Sequence, residues 1–402
     1  MKQNKVQASG GITFHILVAL SISHCMNDTL QSVISAVYPL FKDGLGLTFA
    51  QIGLITLVYQ MAASVFQPLT GLYFDRWPSA WSLPVGMGFT LVGLLNLAFA
   101  DSLHWVLVSV ALVGIGSSVF HPEASRLTSL ASGGKRGLAQ SLFQVGGNLG
   151  GSLGPLLTAL LVAPYGRRHI ALFSILAFLA ILVMIPVGHW YKGLLLRLKR
   201  EEKGLEKTHV QTPLPRGKTI FSIVILLILI FSKYIYMASL NSYYTFYLIK
   251  KFGVSVQASQ IYLFIFLVAT ALGTLMGGPV GDRVGRKYVI WASILGAAPF
   301  TLLMPHVDSL YVTAVLSFCV GLTLSSAFPA ILVYAQELLP YKLGLISGLF
   351  FGFAFGVAGI ASAILGNMAD RYGIEAVYNV CGYMPLIGLV TYLLPDLQKM
   401  KS

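Results

Sequence analysis

The sequence predicts an all-α membrane protein, with twelve transmembrane helices in two six-helix, pseudo-symmetric halves. Of its 402 residues, 56% are hydrophobic and only 10% are charged, whereas an average soluble domain has about 25% charged residues. Apolar runs long enough to cross about 30 Å of hydrocarbon as helices recur along the whole chain. An internal repeat then divides these runs into two similar sets.

The apolar runs are continuous, whereas a membrane barrel shows short segments of alternating polarity, so helices are predicted throughout. The twelve predicted spans, in order, cover residues 12 to 40, 49 to 74, 81 to 100, 105 to 130, 137 to 162, 169 to 190, 219 to 248, 257 to 280, 288 to 305, 309 to 336, 344 to 368 and 374 to 394.

The repeat appears when the chain is shifted against itself by 207 positions. Gly71, Asp75 and Arg76 then fall on Gly278, Asp282 and Arg283, and two further segments match at the same offset. Two parallel copies of this kind are typical of secondary transporters with a central site. We therefore predict an N-terminal half over residues 1 to 190, a cytoplasmic linker over 191 to 218 and a C-terminal half over 219 to 402. Part of the linker is expected to form an amphipathic helix on the anionic membrane surface.

The formal net charge of +13 is a topology signal rather than a nucleic-acid footprint. Twenty of the 27 lysines and arginines fall on one side of the predicted spans, six fall on the other side, and Lys233 lies inside a helix. By the positive-inside rule, both termini and the linker are predicted to be cytoplasmic. This pattern indicates a multi-pass protein of a bacterial inner membrane and gives no support to nucleic-acid binding.

The segment from Gly278 to Lys287 reads GPVGDRVGRK and resembles a loop signature of the major facilitator superfamily. The earlier copy keeps Gly71, Asp75 and Arg76 but has Trp77 and Pro78 where the second glycine is expected. Long runs in both halves also resemble the fosmidomycin resistance protein family of bacterial drug exporters; they cover residues 21 to 40, 114 to 157, 231 to 248, 277 to 291 and 331 to 356.

The resemblance implies proton-driven efflux of fosmidomycin, a phosphonate antibiotic, and of other small toxic compounds, by a monomer in membrane lipid. The proton gradient would drive it without a cofactor, and the sequence has no phosphate-binding loop for ATP. An importer or exchanger of anionic, phosphorylated metabolites is the alternative. No constellation of catalytic or metal-binding residues with enzyme-like spacing favours an enzyme.

Charges at membrane depth are candidates for function because burying them is expensive. Asp28 lies near the middle of the first span, and Lys233 lies at similar depth in the seventh. The superfamily resemblance places both spans around a central cavity. We hypothesise that protonation of Asp28 loosens Lys233 and so couples proton and substrate binding; a permanent structural ion pair is the alternative.

Three further residues are candidates for proton coupling. His121 and Glu123 lie in the fourth span, where Glu123 either accepts a proton or pairs with Arg126 at a spacing of three residues. Glu337, at the end of the tenth span, is expected to act as a gate or interface partner.

Aromatic and amide side chains along the cavity-lining helices would suit varied amphipathic substrates. The predicted substrate-binding residues are His24, Asp28, Gln31, Tyr59, Gln60, His121, Gln144, Asn148, Lys233, Tyr236, Asn241 and Tyr244. For Gln144 and Asn148, a helix-to-helix hydrogen bond is an equal alternative.

Two glycine patterns predict close backbone contacts. Gly146, Gly150 and Gly154 recur every four residues in the fifth span, which favours tight packing against another helix. The loop signature predicts a gate in which an aspartate accepts hydrogen bonds from the N-terminus of a neighbouring helix, and the second copy is expected to be the more secure one. The predicted gate residues are Gly71, Asp75, Arg76, Gly278, Asp282, Arg283, Gly285, Arg286 and Lys287.

Overall fold

The structure, a computed structural model, describes residues 12–47, 49–162, 164–202, 214–254 and 256–398, and the regular elements in these ranges are all helical. The α-helices are α1 Phe14–Ala36, α2 Tyr38–Leu45, α3 Phe49–Ser64, α4 Phe66–Arg76, α5 Ser82–Phe99, α6 Leu103–Ala131, α7 Arg136–Leu161, α8 Leu172–Glu202, α9 Arg216–Phe252, α10 Val256–Val284, α11 Arg286–Leu295, α12 Ala298–Leu303, α13 Leu310–Ser325, α14 Ala327–Leu338, α15 Leu343–Tyr372 and α16 Ile374–Cys381. Short 3₁₀ helices are Arg167–Ala171, Met304–His306 and Met384–Leu393.

Helical residues occupy all twelve predicted ranges. Nine stretches of helix among the described residues are long and apolar enough to cross a membrane. The other three predicted ranges contain α1, the pair α3 and α4, and α7; polar side chains lower the apolar character of α1 and α7, and Val65 separates α3 from α4. Twelve membrane crossings and the cytoplasmic position of the termini stay predictions.

The predicted linker is partly helical. Helix α8 continues to Glu202, well past the predicted end of the span at residue 190. The added segment is rich in leucine, lysine, arginine and glutamate, which favour helix and contain no breaker that would end it. Helix α9 begins directly after Pro215, and residues 203 to 213 of the predicted linker lie outside the described residues.

The helices group into two compact units. The first contains the described residues up to Glu202 together with Leu339–Gly352, and the second contains Leu214–Leu338 and the described residues from Phe353 onward. The repeat places residues 339 to 352 in the C-terminal half, yet they group with the first unit because the start of α15 packs on α4. There Gly71 faces the backbone of Gly344, and Gly348 faces the carbonyl of Gln67.

Helices α1 and α7 are the most tightly joined pair in the first unit. Gly146 faces the carbonyl of Ser21, and Gly150 faces the carbonyl of Cys25. No side chain fits at either position because a Cβ atom would overlap the backbone of α1. The predicted glycine packing is confirmed, and it brings the polar residues of α1 against α7.

Candidate functional site

Three titratable side chains meet inside the first unit. Nε2 of His24 lies 3.2 Å from Oδ2 of Asp28, one helical turn away in α1. Nε2 of His121, in α6, lies 3.2 Å from Oδ1 of the same carboxylate. His24 and His121 are buried, whereas 21% of the Asp28 side chain is exposed. We call His24, Asp28 and His121 the His-Asp-His cluster.

Both imidazole rings are held from behind by backbone carbonyls. Nδ1 of His24 lies 2.7 Å from the carbonyl oxygen of Phe143, and Nδ1 of His121 lies 3.1 Å from that of Ser117. The ring of Phe143 also stacks on His24, with ring centroids 4.0 Å apart. These contacts fix the ring orientations, so each Nε2 atom faces the carboxylate.

Gly147 of α7 leaves room for the side chains of the His-Asp-His cluster. A Cβ atom on Gly147 would lie 2.6 Å from Nε2 of His24 and 2.8 Å from Oδ2 of Asp28. Sequence analysis identified the neighbouring Gly146, Gly150 and Gly154 but missed Gly147. The signal available was the doublet of glycines at 146 and 147, which shows that a second face of α7 is also free of side chains.

Substituting Gly147 with alanine should disturb the cluster more than it disturbs the helix. The new methyl group must displace His24 or Asp28, and such overpacking costs about 1 to 3 kcal/mol. We expect Gly147→Ala to lower transport at least about tenfold, which corresponds to a free-energy change of about 1.4 kcal/mol. Initial transport rates at equal protein abundance measure this effect.

Gly151→Ala is the matched control, one turn later in the same helix. A Cβ atom there would meet nothing within 4 Å, and alanine favours helix over glycine by up to about 1 kcal/mol. Gly151→Ala should therefore keep wild-type transport and stability. Equal transport by the two variants would mean that the cluster geometry does not matter for transport.

Other predicted substrate residues lie at varied depth in the first unit. The hydroxyl of Tyr59 donates a hydrogen bond of 2.6 Å to Oε1 of Gln31, which joins α3 to α1. Gln60 and Gln144 are half-buried, and Asn148 is exposed. Their contact with substrate stays a prediction.

A buried charge network lies next along α6. Nη1 of Arg126 lies 3.1 Å from Oε1 of Glu123 and donates a hydrogen bond of 2.7 Å to the hydroxyl of Tyr191. Nε of Arg126 lies 3.4 Å from Oδ1 of Asp75. The ion pair between Glu123 and Arg126, one of the two alternatives for Glu123, is therefore present; a proton-carrying role for Glu123 stays a prediction.

The first copy of the loop signature contacts a helix N-terminus. The backbone N–H of Gly344 donates to Oδ1 of Asp75 over 2.9 Å, and that of Leu345 donates to Oδ2 over 2.8 Å. The carboxylate thus satisfies two of the unpaired amides at the start of α15. Sequence analysis expected this contact more strongly for the second copy, because Trp77 and Pro78 replace the usual glycine in the first. The contact depends on Asp75 and on glycine at positions 71 and 344, where the two backbones are too close for a side chain. The residues at 77 and 78 take no part in it.

The second copy of the loop signature holds its aspartate differently. Nη2 of Arg286 lies 2.9 Å from Oδ1 of Asp282 and 3.4 Å from Oε1 of Glu337. Gly285 has a φ of 109°, which only glycine adopts readily. The structure thus joins Glu337 to the predicted gate residues. Gly278 is buried, whereas Arg76 and Arg283 are exposed, and Lys287 donates to the carbonyl of Tyr392 over 3.0 Å.

The different surroundings of the two aspartates predict different effects of neutralisation. Asp75→Asn removes the charge that holds two backbone amides and Arg126, so we expect a loss of about 2 kcal/mol in stability. Asp282→Asn neutralises a more accessible carboxylate, with 18% of its side chain exposed against 8% for Asp75, and ion pairs at accessible positions contribute about 1 kcal/mol or less. Thermal unfolding in detergent measures both, and a larger loss for Asp282→Asn would contradict the assignment.

Lys233 is a buried basic side chain in the second unit. It is 5% exposed, and its Nζ lies 5.1 Å from the ring centroid of Tyr234 and 5.4 Å from that of Phe328. In the part of the chain that the structure describes, it has neither an ion pair nor a hydrogen-bond partner. A buried ammonium held only by aromatic faces is strongly predisposed to accept an anion.

The predicted tyrosines of α9 pack within the second unit. The hydroxyl of Tyr244 donates to Oγ of Ser317 over 2.9 Å, and that of Tyr236 contacts Sδ of Met304 at 3.7 Å. Both rings are fully buried, whereas Asn241 is exposed. A substrate contact for these three residues stays a prediction, and the buried hydroxyls give it no support.

Comparison with known proteins identifies the family. Residues 20–264 and 226–401 match the family described as Major Facilitator Superfamily. The chain belongs to this superfamily. It is 56% identical over 384 residues to the fosmidomycin resistance protein of Escherichia coli (strain K12), which covers 96% of this chain and 93% of that protein.

Solved structures support the same fold. The chain resembles the superfamily transporter FucP in its outward conformation, with a TM-score of 0.73, 15% identity and coverage of 95% of this chain and 98% of that one. It also resembles the proton:xylose symporter XylE, with a TM-score of 0.72, 14% identity and coverage of 96% and 98%. The chain is therefore a multi-pass membrane transporter with the major facilitator fold, and the His-Asp-His cluster and Lys233 are its most unusual buried polar groups.

Proposed function

We propose that this chain exports fosmidomycin and other small toxic compounds across a bacterial inner membrane in exchange for protons. The observation that carries the proposal is the 56% identity, over nearly the full length of both chains, to a fosmidomycin resistance protein. Export by alternating access between the two halves removes the drug from the cytoplasm, which is how a transporter of this fold would confer resistance.

Lys233 supports an anionic substrate. A phosphonate carries negative charge at neutral pH, and a buried ammonium with no anionic partner among the described residues offers it a complementary charge. Hydrogen bonds to charged groups contribute about 1.5 to 3 kcal/mol. Lys233 would thus provide a large part of the affinity for the phosphonate group.

The His-Asp-His cluster supports proton coupling. A carboxylate and two imidazoles within hydrogen-bond distance can hold and release a proton inside the membrane. We propose that Asp28 carries the transported proton and that His121 shares it, while Glu123 and Glu337 serve in the ion pairs that hold the helix ends. The hypothesis that Asp28 and Lys233 are coupled belongs to this proposal.

The remaining expectations complete the proposal. The chain would cross the membrane twelve times with both termini in the cytoplasm, because basic residues concentrate on that side. It would act as a monomer, with protons and small molecules as its partners and no cofactor. The Asp75 contact with α15 would then lie on the cytoplasmic side and hold that side closed.

An importer or exchanger of phosphorylated metabolites is the second candidate. The same unpaired Lys233 favours it, because a phosphate group and a phosphonate group present similar anionic oxygens. Such a protein would need substrate on the opposite side of the membrane, or would take up substrate together with protons.

Inside-out membrane vesicles test the proposal directly. With an imposed inside-acid pH gradient, fosmidomycin should accumulate in vesicles that contain the protein, and an ionophore should abolish the accumulation. Vesicles prepared without the protein are the control for passive entry. No accumulation of fosmidomycin or of uncharged toxic compounds, together with exchange that requires phosphorylated substrate inside, would establish the second candidate instead.

A further inference from the structure

The hydrogen bonds of the two histidine rings leave negative charge at the centre of the His-Asp-His cluster without a balancing positive charge. A carbonyl oxygen can only accept, so the carbonyl of Phe143 places a hydrogen on Nδ1 of His24. Nδ1 of His121 lies 3.1 Å from the carbonyl oxygen of Ser117 and 3.2 Å from its hydroxyl, and we assign its hydrogen to the shorter contact with the carbonyl. In a neutral imidazole, Nε2 then carries a lone pair. Two such lone pairs facing one carboxylate repel it, so the three groups need a positive charge, which a proton on one ring or a bound cation can supply.

The distances fit a metal ion at this position. The three candidate ligand atoms all lie within 4.8 Å of one another, and both nitrogen-to-oxygen distances are 3.2 Å. Tetrahedral zinc, with bonds of about 2.1 Å, separates neighbouring ligand atoms by about 3.4 Å. The two nitrogen-to-oxygen distances, which involve different oxygens of Asp28, are therefore each close to the spacing that zinc requires.

The surroundings also match those of protein metal sites. Ligating histidines usually donate their other ring N–H to a carbonyl or carboxylate, which fixes the tautomer, and both rings here do so. Nε2 of His24 is buried and makes no hydrogen bond of its own among the described residues, although it faces Asp28. The partial exposure of Asp28 leaves one side of the cluster open.

We propose that His24, Asp28 and His121 bind one divalent transition-metal ion, with Zn²⁺ as the ion that fits best. Imidazole nitrogen suits zinc, whereas Mg²⁺ and Ca²⁺ prefer sites made of oxygen ligands. Three protein ligands leave the fourth tetrahedral position to water or to an anionic group. The site does not depend on the direction of transport or on the identity of the substrate proposed above, but the transported proton and the metal ion would compete for the same side chains, because metal ligands must be deprotonated.

Zinc binding to the purified full-length protein in detergent tests this proposal. Equilibrium dialysis with metal analysis should find one saturable Zn²⁺ per chain, and X-ray absorption at the zinc edge should show two imidazole nitrogens. Asp28→Asn and His121→Gln should each weaken binding at least about 100-fold, since even the partners of metal ligands change affinity about 10- to 100-fold. His104→Gln and His189→Gln, which alter exposed histidines, are the matched controls and should bind zinc as the wild type does.

Three outcomes would overturn the proposal: no saturable zinc on the wild type, unchanged affinity in both Asp28→Asn and His121→Gln, or loss of zinc in either control variant. The absorption spectrum uses the wild-type protein, so it decides the matter even if a cluster variant fails to fold. A zinc environment without imidazole nitrogen would exclude the cluster as the binding site.

Discussion

Asp28→Asn should strongly reduce gradient-driven transport of fosmidomycin and leave the protein folded. Asparagine has the same shape and can still accept the hydrogen bond that Asn27 donates to Oδ1 over 3.0 Å, but it can neither bind a proton nor carry a negative charge. Coupling free energies between two ligands are typically about 1 to 3 kcal/mol, or about 5- to 150-fold in affinity. The accumulation of fosmidomycin in inside-out vesicles should fall by a factor in that range.

A matched control separates coupling from general damage. Asp101→Asn makes the same change at an exposed position of the first unit and should keep normal accumulation. The Asp28→Asn variant should also still exchange labelled for unlabelled drug without a gradient, because alternating access does not require a proton in that experiment. Normal gradient-driven accumulation by Asp28→Asn would remove Asp28 from the proton pathway.

Lys233→Met should weaken binding of anionic drug about 10- to 100-fold and raise the thermal stability of the protein, or leave it unchanged. The drug loses a charge-assisted contact of about 1.5 to 3 kcal/mol. The fold loses nothing comparable because the ammonium has no ion pair among the described residues, and methionine fills similar volume without a buried charge. Drug binding by calorimetry and unfolding temperature in detergent measure the two effects.

The control is Lys250→Met, which changes an exposed lysine of the same helix and should alter neither quantity. Uncharged toxic compounds provide a second comparison, since their export should not depend on Lys233. A marked loss of stability in Lys233→Met would mean that Lys233 forms the structural ion pair considered as the alternative from sequence. Unchanged fosmidomycin binding would exclude Lys233 as the anion site.

The helices could be predicted from the sequence because each one depends on the length and hydrophobicity of its own segment. Continuous apolar runs of sufficient length predict helices in a membrane wherever they occur, and each predicted range contains helix. The packing of Gly146 and Gly150 on α1 also followed, since small residues four positions apart line one face of a helix. Helix in part of the linker was expected, but its continuity with the preceding span, as α8 up to Glu202, was not.

The arrangement of the site depended on contacts between distant segments, which spacing does not reveal. His24 and Asp28 are four residues apart in the first predicted span, so their proximity follows from helical spacing. Nothing in the spacing brings His121 to the same carboxylate. Gly147 was missed for the same reason, since its role appears only when α7 lies on α1. The stronger contact of Asp75 with α15 was equally hidden, because the loop signature is more complete in the second copy.

The glycine contacts between α1 and α7 restrict how these two helices can move against each other. Backbone meets backbone at Gly146 and Gly150, so at these two positions no flexible side chain lies between the helices to accommodate sliding. We expect α1 and α7 to move as one rigid pair during transport. A covalent cross-link between them should therefore leave the transport rate unchanged. A cross-link that stops transport would contradict this expectation. This rigid pair would carry His24 and Asp28 through the transport cycle with their relative geometry preserved, whereas His121 lies on α6, so the position of α6 would decide when all three side chains meet.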